Sequence, residues 1–351
     1  MKVIVPCGGR SSRYPNQPPK WMLPAHDGRP MLALAVSGLK IAKDDLIITI
    51  LREHEDKYRV RQGLEAAFGQ PLRVVVLDEP TRSQPETVAR TLEAVGLQEP
   101  FLVKDSDNMF VVEDVAQDTN YVCCDSLNNF DQINPRNKSY LQVDHKDLVT
   151  NIREKVVISD LFSVGGYSFL SPAQFLEHYR QLSRHTAEWQ RELYISDIIG
   201  AMILEGIPFR ACRIKGYQDW GTITEWRRAL LSRKTYFALL DGFLFERGSE
   251  HFHPAFADVK PNSTAVEAVK ELAGRGHSFL YMSIRPPSLT ELTERQLAAA
   301  GLPAARVIYG CPISTWVMLT APDPTLPFQT SHALELLPDD PNLAGKLAFE
   351  T

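Results

Sequence analysis

The chain has 351 residues, of which 44% are hydrophobic and 23% are charged, as expected for a globular protein with a substantial core. Its formal net charge of −5 argues against a general binder of nucleic acids or anionic membranes. The length allows two domains, and no apolar run approaches the roughly 20 residues that span a bilayer. The five cysteines show no Cys-x-x-Cys spacing, so we expect reduced thiols in a cytoplasmic protein.

Short apolar runs alternate with amphipathic stretches from residue 1 to about residue 230, which is typical of a sheet layered with helices. Strands are predicted at residues 2–6, 46–51, 72–77, 101–104, 120–124, 140–143, 163–169 and 209–214. Helices are predicted at residues 31–38, 53–68, 84–95, 172–182 and 195–205. The pattern indicates an α/β fold.

The pattern starts again near residue 236. Strands are predicted at residues 237–240, 278–283, 306–309 and 315–319, and helices at residues 262–275 and 289–300. The tail from residue 322 is rich in Pro and Asp and is predicted to be a loop. We therefore predict two domains, at residues 1–232 and 233–351.

Two glycines and two cations follow the first strand at short spacing. Gly8 and Gly9 allow main-chain N–H groups to approach phosphate oxygens closely, because no Cβ intervenes. Arg13 offers phosphate a rigid fork of donors, and Lys20 offers a compact positive charge. The segment therefore indicates a cradle for a nucleoside triphosphate (NTP).

This segment resembles the opening motif of the sugar-phosphate nucleotidyltransferases of the glucose-1-phosphate thymidylyltransferase type. That motif reads small-Gly-Gly-x-Gly-Thr-Arg and then Pro-Lys-x-Leu-Leu-Pro, and the matching residues here are Gly8, Gly9, Arg13, Pro19, Lys20, Leu23 and Pro24. Ser11 and Ser12 stand where the family usually has Gly and Thr. The resemblance implies a GT-A, Rossmann-like nucleotidyltransferase domain with a mixed, mostly parallel sheet. It also implies that Arg13 and Lys20 are catalytic and that Gly8, Gly9 and Arg13 bind the nucleotide.

Two further motifs imply a Mg²⁺ site. Asp107-Asn108 follows the strand predicted at residues 101–104, where the family has an Asp-Asn pair with its Asp on the metal. The segment Asp219-Trp220-Gly221-Thr222 resembles the family's Asp-x-Gly-Thr, whose Asp is the second metal ligand. The resemblance thus implies that Asp107 and Asp219 bind Mg²⁺ and that Asp107 also contributes to the nucleotide site. Asp105 is an additional carboxylate.

Other segments match the family's acceptor and base sites. Glu154-Lys155 resembles the family's I-x-E-K segment, and Gly166 lies in its Gly-x-Tyr strand, so these three residues are predicted to bind the acceptor. Gln84 lies in the segment that matches the family's base-reading loop. We predict that it reads the base, because an amide can both donate and accept hydrogen bonds. The glycine that the family normally has in this loop is absent here. The base therefore stays open, with a preference for a pyrimidine.

The resemblance implies Mg²⁺-dependent transfer of a nucleotidyl group from an NTP to a sugar phosphate or similar phosphorylated acceptor. The products would be an NDP-sugar and pyrophosphate, in a pathway of surface polysaccharide synthesis. Two alternatives stay open: a bifunctional nucleotidyltransferase and phosphatase, and a regulatory pseudoenzyme that binds nucleotide or sugar. The expected partners are the NTP and the acceptor, without nucleic acid or membrane, and a homo-oligomer is an option.

Residues 236–320 resemble the haloacid dehalogenase-like phosphatases, whose first motif is Asp-x-Asp-Gly-Thr-Leu. Leu239 stands at the position of the nucleophilic Asp, whereas Asp241 matches the second Asp of that motif. Ser283 matches the phosphate-binding hydroxyl of the second motif. Because a leucine cannot form an acyl phosphate, we predict a haloacid dehalogenase-like domain without phosphatase activity.

Overall fold

A computed structural model describes residues 1–9, 14, 17–112, 118–130, 134–189, 191–246, 256–312, 314, 317, 319 and 334–347. The chain divides into two compact units, Met1–Trp226 and Arg227–Thr351. The boundary predicted after residue 232 lies a few residues further along, just beyond a helix at Ile223–Leu231 that the division crosses. No helix within the described ranges has the length and apolarity of a membrane span. All five cysteines are free thiols.

A large mixed sheet is the centre of the larger unit. The strands of this unit are β1 (Lys2–Pro6), β2 (Leu46–Leu51), β3 (Arg73–Leu77), β4 (Phe101–Lys104), β5 (Asn108–Val111), β6 (Asn120–Ser126), β7 (Ser139–Val143), β8 (Val149–Glu154), β9 (Leu161–Phe169), β10 (Phe209–Arg213) and β11 (Lys215–Asp219). The main sheet has the order β10-β6-β9-β4-β1-β2-β3, and β7 joins β8 to β9. β8 and β9 run against the direction of the other strands of this sheet. β5 and β11 form a separate antiparallel pair.

Helices cover both faces of the main sheet. They are α1 (Met31–Ser37), α2 (Arg52–Tyr58), α3 (Val60–Phe68), α4 (Gln84–Val95), α5 (Pro172–Trp189), α6 (Ile195–Leu204) and α7 (Ile223–Leu231). Successive residues of β1 enter opposite cores, because side chains alternate across a strand: Val3 and Val5 pack in one cluster and Ile4 in the other. Burial of strands on both faces is what makes them continuous apolar runs in the sequence. The predicted α/β class with a mixed, mostly parallel sheet is confirmed.

The structure differs from the predicted elements in several places. The helix predicted at residues 53–68 is broken, since Arg59 has a φ of 51° and ends α2 in a left-handed conformation. β5, β8 and β11 were not predicted, because these short strands contain polar residues that weaken the hydrophobic alternation. The strand predicted at residues 315–319 falls largely outside the described residues.

The smaller unit has a three-stranded parallel sheet. Its elements are β12 (Thr235–Leu239), α8 (Ser263–Gly274), β13 (Ser278–Met282), α9 (Thr290–Ala299), β14 (Arg306–Ile308) and α10 (Leu343–Leu347), with the strand order β12-β13-β14. Leu240, Val269 and Tyr281 are buried in its core together with Leu343 of α10. α10 lies in the tail that was predicted to be a loop, so that prediction was wrong for these five residues.

Candidate active site

A cleft of about 670 Å³ opens in the larger unit, and most of the predicted site residues line it. Its walls include the residues that follow β1 and β4, the start of α4, the facing ends of β7 and β8, and the end of β11. Ligands of open α/β sheets bind at such carboxyl ends of strands. The predicted residues in the lining are Gly9, Lys20, Gln84, Asp107, Glu154, Lys155 and Asp219.

The glycine turn after β1 backs onto α4. A Cβ on Gly8 would lie 3.3 Å from Cγ2 of Thr87, so Gly8 permits close packing behind the turn, whereas Gly9 lines the cleft. Arg13 lies outside the described residues. The hydroxyl of its neighbour Tyr14 donates to the carbonyl oxygens of Trp220, at 2.5 Å, and of Thr222, at 2.9 Å. Tyr14 is thereby tied to the residues that follow Asp219.

Pairing of β5 with β11 brings the two predicted metal carboxylates into one region. Asp219 lies opposite Asn108 in the register of this pair, and the backbone N–H of Trp220 donates to the carbonyl oxygen of Asp107 at 2.8 Å. Each carboxylate is bound by a lysine. Lys20 Nζ forms an ion pair with Asp107, and Lys138 Nζ forms one with Asp219.

A buried lysine shapes the loop between β4 and β5. Lys104 has no exposed surface, and its Nζ donates to the carbonyl oxygens of Asp105 and Asn108, at 2.7 and 2.9 Å, and to the side chain of Asn108 at 2.6 Å. Burial lowers the pKa of Lys104 to about 8. Burial, together with the charge of Asp107, raises the pKa of Asp105 to about 6. The loop therefore places several charges close together at the cleft.

The donor set suits Mg²⁺ bound together with phosphates. Asp107 and Asp219 offer hard carboxylate oxygens, and Mg²⁺ sites commonly use one or two carboxylates plus substrate phosphates. No group of three or more His, Cys, Asp or Glu side chains could hold a metal within the part of the chain that the structure describes. The residues present thus fit a cation that arrives with a nucleotide better than one enclosed by protein ligands alone.

The predicted acceptor residues form another part of the cleft lining. The hydroxyls of Ser139 and Ser196 both donate to Oε2 of Glu154, the second at 2.9 Å. Nζ of Lys155 donates to the hydroxyl of Tyr194 at 2.5 Å and lies 4.0 Å from Oε1 of Glu154. A carboxylate held on one oxygen by two hydroxyls has its other oxygen available to accept from a ligand's hydroxyl groups.

Two predicted residues have surroundings that their motifs did not indicate. Gly166 is absent from the cleft lining, and a Cβ there would lie 2.7 Å from the ring of Phe110, so it serves packing, while its neighbour Gly165 lines the cleft. Nε2 of Gln84 donates to Oδ1 of Asp105 at 2.5 Å. Base recognition by Gln84 stays a prediction.

The motif residues of the smaller unit form a buried network. Nε of Arg285 donates to Oδ1 of Asp241 at 2.7 Å, and the hydroxyl of Ser283 donates to Oδ2 of Asp241 at 2.9 Å. The Arg285 side chain is fully buried, and its Nη1 donates to the side chains of Thr293 and Gln296, at 3.2 and 2.6 Å. Both oxygens of the Asp241 carboxylate are therefore already bound by this unit's own side chains.

Solved structures of nucleotidyltransferases are similar to the chain. A nucleoside-diphosphate-sugar pyrophosphorylase from Vibrio cholerae RC9 has a TM-score of 0.53 and 25% identity, over 65% of this chain and 99% of that chain. A protein from Bacillus anthracis assigned as a glucose-1-phosphate thymidylyltransferase has a TM-score of 0.52 and 22% identity, over 65% and 93% of the chains. The inositol-1-phosphate CTP transferase from T. maritima has a TM-score of 0.51 and 12% identity, over 64% and 90%.

No protein-family model matches the chain, and no curated protein matches it. The structural likenesses confirm the predicted nucleotidyltransferase fold, and they agree with the prediction that the chain is a nucleotidyltransferase enzyme. They do not extend to a haloacid dehalogenase-like domain, which stays a prediction.

Sequence reasoning did not assign several residues that line the cleft. Lys138 directly precedes β7 and Ser139 begins it, while Tyr194 and Ser196 lie at the start of α6; no motif marks these residues. A signal exists for the second pair: Oδ2 of Asp197 accepts a hydrogen bond from the backbone N–H of Tyr194 at 2.9 Å, and an acidic residue at the third helical position can be sought at predicted helix starts. For Lys138 the sequence offers no comparable signal.

Proposed function

We propose that the chain transfers a nucleotidyl group from an NTP to a sugar phosphate or a similar phosphorylated acceptor and releases pyrophosphate. The observation that carries this proposal is the juxtaposition of Asp107 and Asp219 by the β5–β11 pair in a cleft that also contains Lys20. Two carboxylates and a cation beside a glycine turn are the groups that a metal-bound triphosphate requires. The likeness to the Vibrio cholerae pyrophosphorylase supports the same activity.

The reaction needs little covalent chemistry from the protein. A phosphate oxygen of the acceptor is already a nucleophile at neutral pH, so no side chain has to remove a proton from it. The new bond joins that oxygen to the α-phosphorus, and the bond between the α-phosphorus and its bridging oxygen to the β-phosphorus breaks, so pyrophosphate leaves with the bonding electrons. Catalysis is then positioning and charge stabilisation.

The chain's own residues supply these effects. Lys20 binds phosphate oxygens of the nucleotide, and Arg13 is assigned the same role on its motif alone. The turn at Gly8 and Gly9 presents backbone N–H groups to the phosphates. Asp107 and Asp219 would hold Mg²⁺, which when bound neutralises charge on the phosphates.

The acceptor is proposed to bind against Glu154 and Lys155. Glu154 accepts hydrogen bonds from its hydroxyl groups, and Lys155 binds its phosphate. Four hydroxyl-bearing residues in this part of the lining, Ser139, Ser163, Tyr194 and Ser196, suit a polar, polyhydroxylated acceptor. A sugar phosphate fits this chemistry. Use of the product in surface polysaccharide synthesis, and a cytoplasmic location, are proposed from the sequence alone.

A second activity as a phosphatase has less support. Leu239 occupies the nucleophile position of the motif, and Asp241 is bound by both Arg285 and Ser283. We therefore propose that the smaller unit is a haloacid dehalogenase-like domain without phosphatase activity.

The test is pyrophosphate and orthophosphate release from each of the common NTPs, with Mg²⁺ and a pool of sugar 1-phosphates. We expect acceptor-dependent pyrophosphate with one nucleotide, which would also identify the base. Orthophosphate without pyrophosphate would contradict the proposal and favour a phosphatase. If no nucleotide gives product but one raises the melting temperature, the pseudoenzyme alternative replaces the proposal. Asp219→Asn is the matched control, since it removes a charge at nearly constant volume and should abolish the signal.

A further inference from the structure

Lys138 is a cleft residue to which no motif of the chain gives a role. It directly precedes β7, and its side chain is only 9% exposed. Its Nζ forms the ion pair with Asp219 and also donates to the hydroxyl of Tyr217 at 2.8 Å. The same nitrogen lies 5.8 Å from the centre of the Phe162 ring and 5.2 Å from that of Tyr217. Aromatic walls thus hold this ammonium group at the edge of the cleft.

The same residue contacts two groups of lining residues to which different roles are proposed. Its side chain binds Asp219, on the side proposed for the metal and nucleotide. Its carbonyl oxygen accepts a hydrogen bond from the backbone N–H of Lys155 at 2.9 Å, and the next residue, Ser139, donates to Glu154. The side chain of Lys138 therefore contacts the carboxylate proposed for the metal, while its backbone contacts the segment proposed for the acceptor.

An ammonium group on Asp219 competes with a divalent cation. Oδ2 of Asp219 accepts from Lys138, and Oδ1 accepts from the backbone N–H of Gly221 at 3.1 Å. A cation approaching this carboxylate meets a positive charge on one oxygen and a bound donor on the other. When a divalent cation binds the Asp219 carboxylate, the Lys138 ammonium group loses its counterion. Its surroundings are poorly solvated, so an unpaired charge there is unfavourable. A phosphate is the replacement counterion that the acceptor would bring.

We propose that Lys138 is an exchangeable counterion, which holds Asp219 in the absence of a divalent cation and binds the acceptor's phosphate when a divalent cation takes Asp219. The inference rests on the proposed function, because it assigns the acceptor to the side of Glu154 and Lys155. It has a thermodynamic consequence. Divalent cations bind weakly to the enzyme when no nucleotide is present. The acceptor binds tightly only after the metal and the nucleotide have bound.

The test is Lys138→Met, which keeps most of the side-chain volume and removes the charge. Mn²⁺ binding without nucleotide, measured by electron paramagnetic resonance, should become about tenfold tighter, because the competing charge is gone. In the same variant the KM for the acceptor should rise about tenfold, because a phosphate ligand is lost. The two effects have opposite signs. A merely structural role would weaken both interactions.

The control is Lys146→Met, which makes the same charge change at an exposed position of the β7–β8 hairpin and should alter neither quantity. Lys138→Arg, which restores the charge, should return Mn²⁺ affinity toward the wild-type value. If circular dichroism shows that Lys138→Met is unfolded, Lys138→Gln, which keeps a hydrogen-bond donor, is measured in its place.

Unchanged Mn²⁺ affinity, weaker Mn²⁺ binding or an unchanged acceptor KM in a folded variant would each overturn the exchange. Failure of the proposed function is distinguishable from this. It would appear as absence of product from the wild-type enzyme with every nucleotide. The Mn²⁺ titration needs no turnover and would still decide whether Lys138 competes at Asp219.

Discussion

Two groups of carboxylate–cation pairs in this molecule have similar chemistry and different surroundings. In the larger unit, the pairs of Lys20 with Asp107 and of Lys138 with Asp219 line an open cleft, and the two carboxylate side chains are 13% and 20% exposed. A ligand that enters the cleft can therefore replace either partner. These pairs are suited to binding and exchange.

In the smaller unit, the pair of Asp241 with Arg285 is sealed. The guanidinium has no exposed surface, and its central carbon lies 5.5 Å from the centre of the Phe245 ring and 5.2 Å from that of Phe256. Hydrogen bonds from its Nη1 to the side chains of Thr293 and Gln296 hold the guanidinium in this buried position. The degree of burial distinguishes the two kinds of ion pair. A ligand can reach the partly exposed pairs in the cleft, whereas the buried pair can only stabilise the core of the smaller unit.

The largest expected effect is on the sealed pair. Arg285→Met should lower the free energy of unfolding of the smaller unit by about 3–5 kcal/mol, because it leaves the Asp241 carboxylate buried without its partner. Urea unfolding followed by circular dichroism measures this. The double variant Asp241→Leu/Arg285→Met should regain most of the loss, and a stability equal to that of the single variant would contradict the sealed-pair interpretation.

The companion variant Asp241→Asn tests whether the smaller unit takes part in turnover. It should leave pyrophosphate release unchanged at temperatures where the unit stays folded. A large loss of turnover in the folded variant would mean that the smaller unit contributes to the reaction, and the contrast between the two groups of pairs would fail.

The next effect is on an exchangeable pair. Lys20→Ala and Asp107→Ala should each lower kcat by about 10²–10³-fold, since each removes a group that stabilises charge in the transition state. The melting temperature should change little. Lys40→Ala, at an exposed position away from the cleft lining, is the control. Near-normal turnover in both Lys20→Ala and Asp107→Ala would contradict the assignment of this cleft as the active site.

A smaller effect is expected at the backbone that supports the carboxylates. Gly165 has a φ of 80°, and a Cβ there would lie 2.7 Å from Nδ2 of Asn108 and also meet Asp105. Gly165→Ala should therefore cost about 1–3 kcal/mol of stability from backbone strain and also lower turnover. The control is Gly63→Ala in α3, which meets nothing within 4 Å and should be neutral or stabilising. Equal behaviour of the two variants would show that Gly165 is not under this constraint.

The smallest effect concerns the hydroxyls that hold Glu154. Ser139→Ala and Ser196→Ala each remove one of the two hydroxyl donors to Oε2 and leave the other in place, so the KM for the acceptor should rise severalfold in each. The KM for the NTP should stay unchanged. An equal rise in both KM values would place Glu154 outside the acceptor site.

The sequence alone was sufficient for the fold class and for bringing into the candidate site those residues that lie within short motifs. β1 and its glycine turn are encoded locally by an apolar run and paired glycines, and the buried strands are recognisable because they are apolar on both faces. Lys20 and Asp107 follow such strands at short sequence separations, and both line the cleft. For these two residues the local sequence pattern was therefore enough to place them in the candidate site.

The remainder depends on contacts between distant segments. Lys138 contacts Asp219 only because β7 and β11 reach the same cleft. No sequence pattern near residue 138 predicts this contact. β5 and β11 were missed because four or five residues with polar members carry little periodic signal. Similarly, the break between α2 and α3 comes from the left-handed conformation of Arg59. An arginine rarely adopts this conformation, so the sequence does not predict the break.

The β5–β11 pair also sets the time at which this protein can become active during its synthesis. A chain leaves the ribosome with its amino end first, so the glycine turn, Lys20 and Asp107 emerge long before β11. Until Asp219 has been made and β11 has paired with β5, the nascent chain has only one of the two carboxylates that we propose to hold Mg²⁺. Incomplete translation products that end before residue 215 would then be inert, and prematurely released chains would not consume nucleotides.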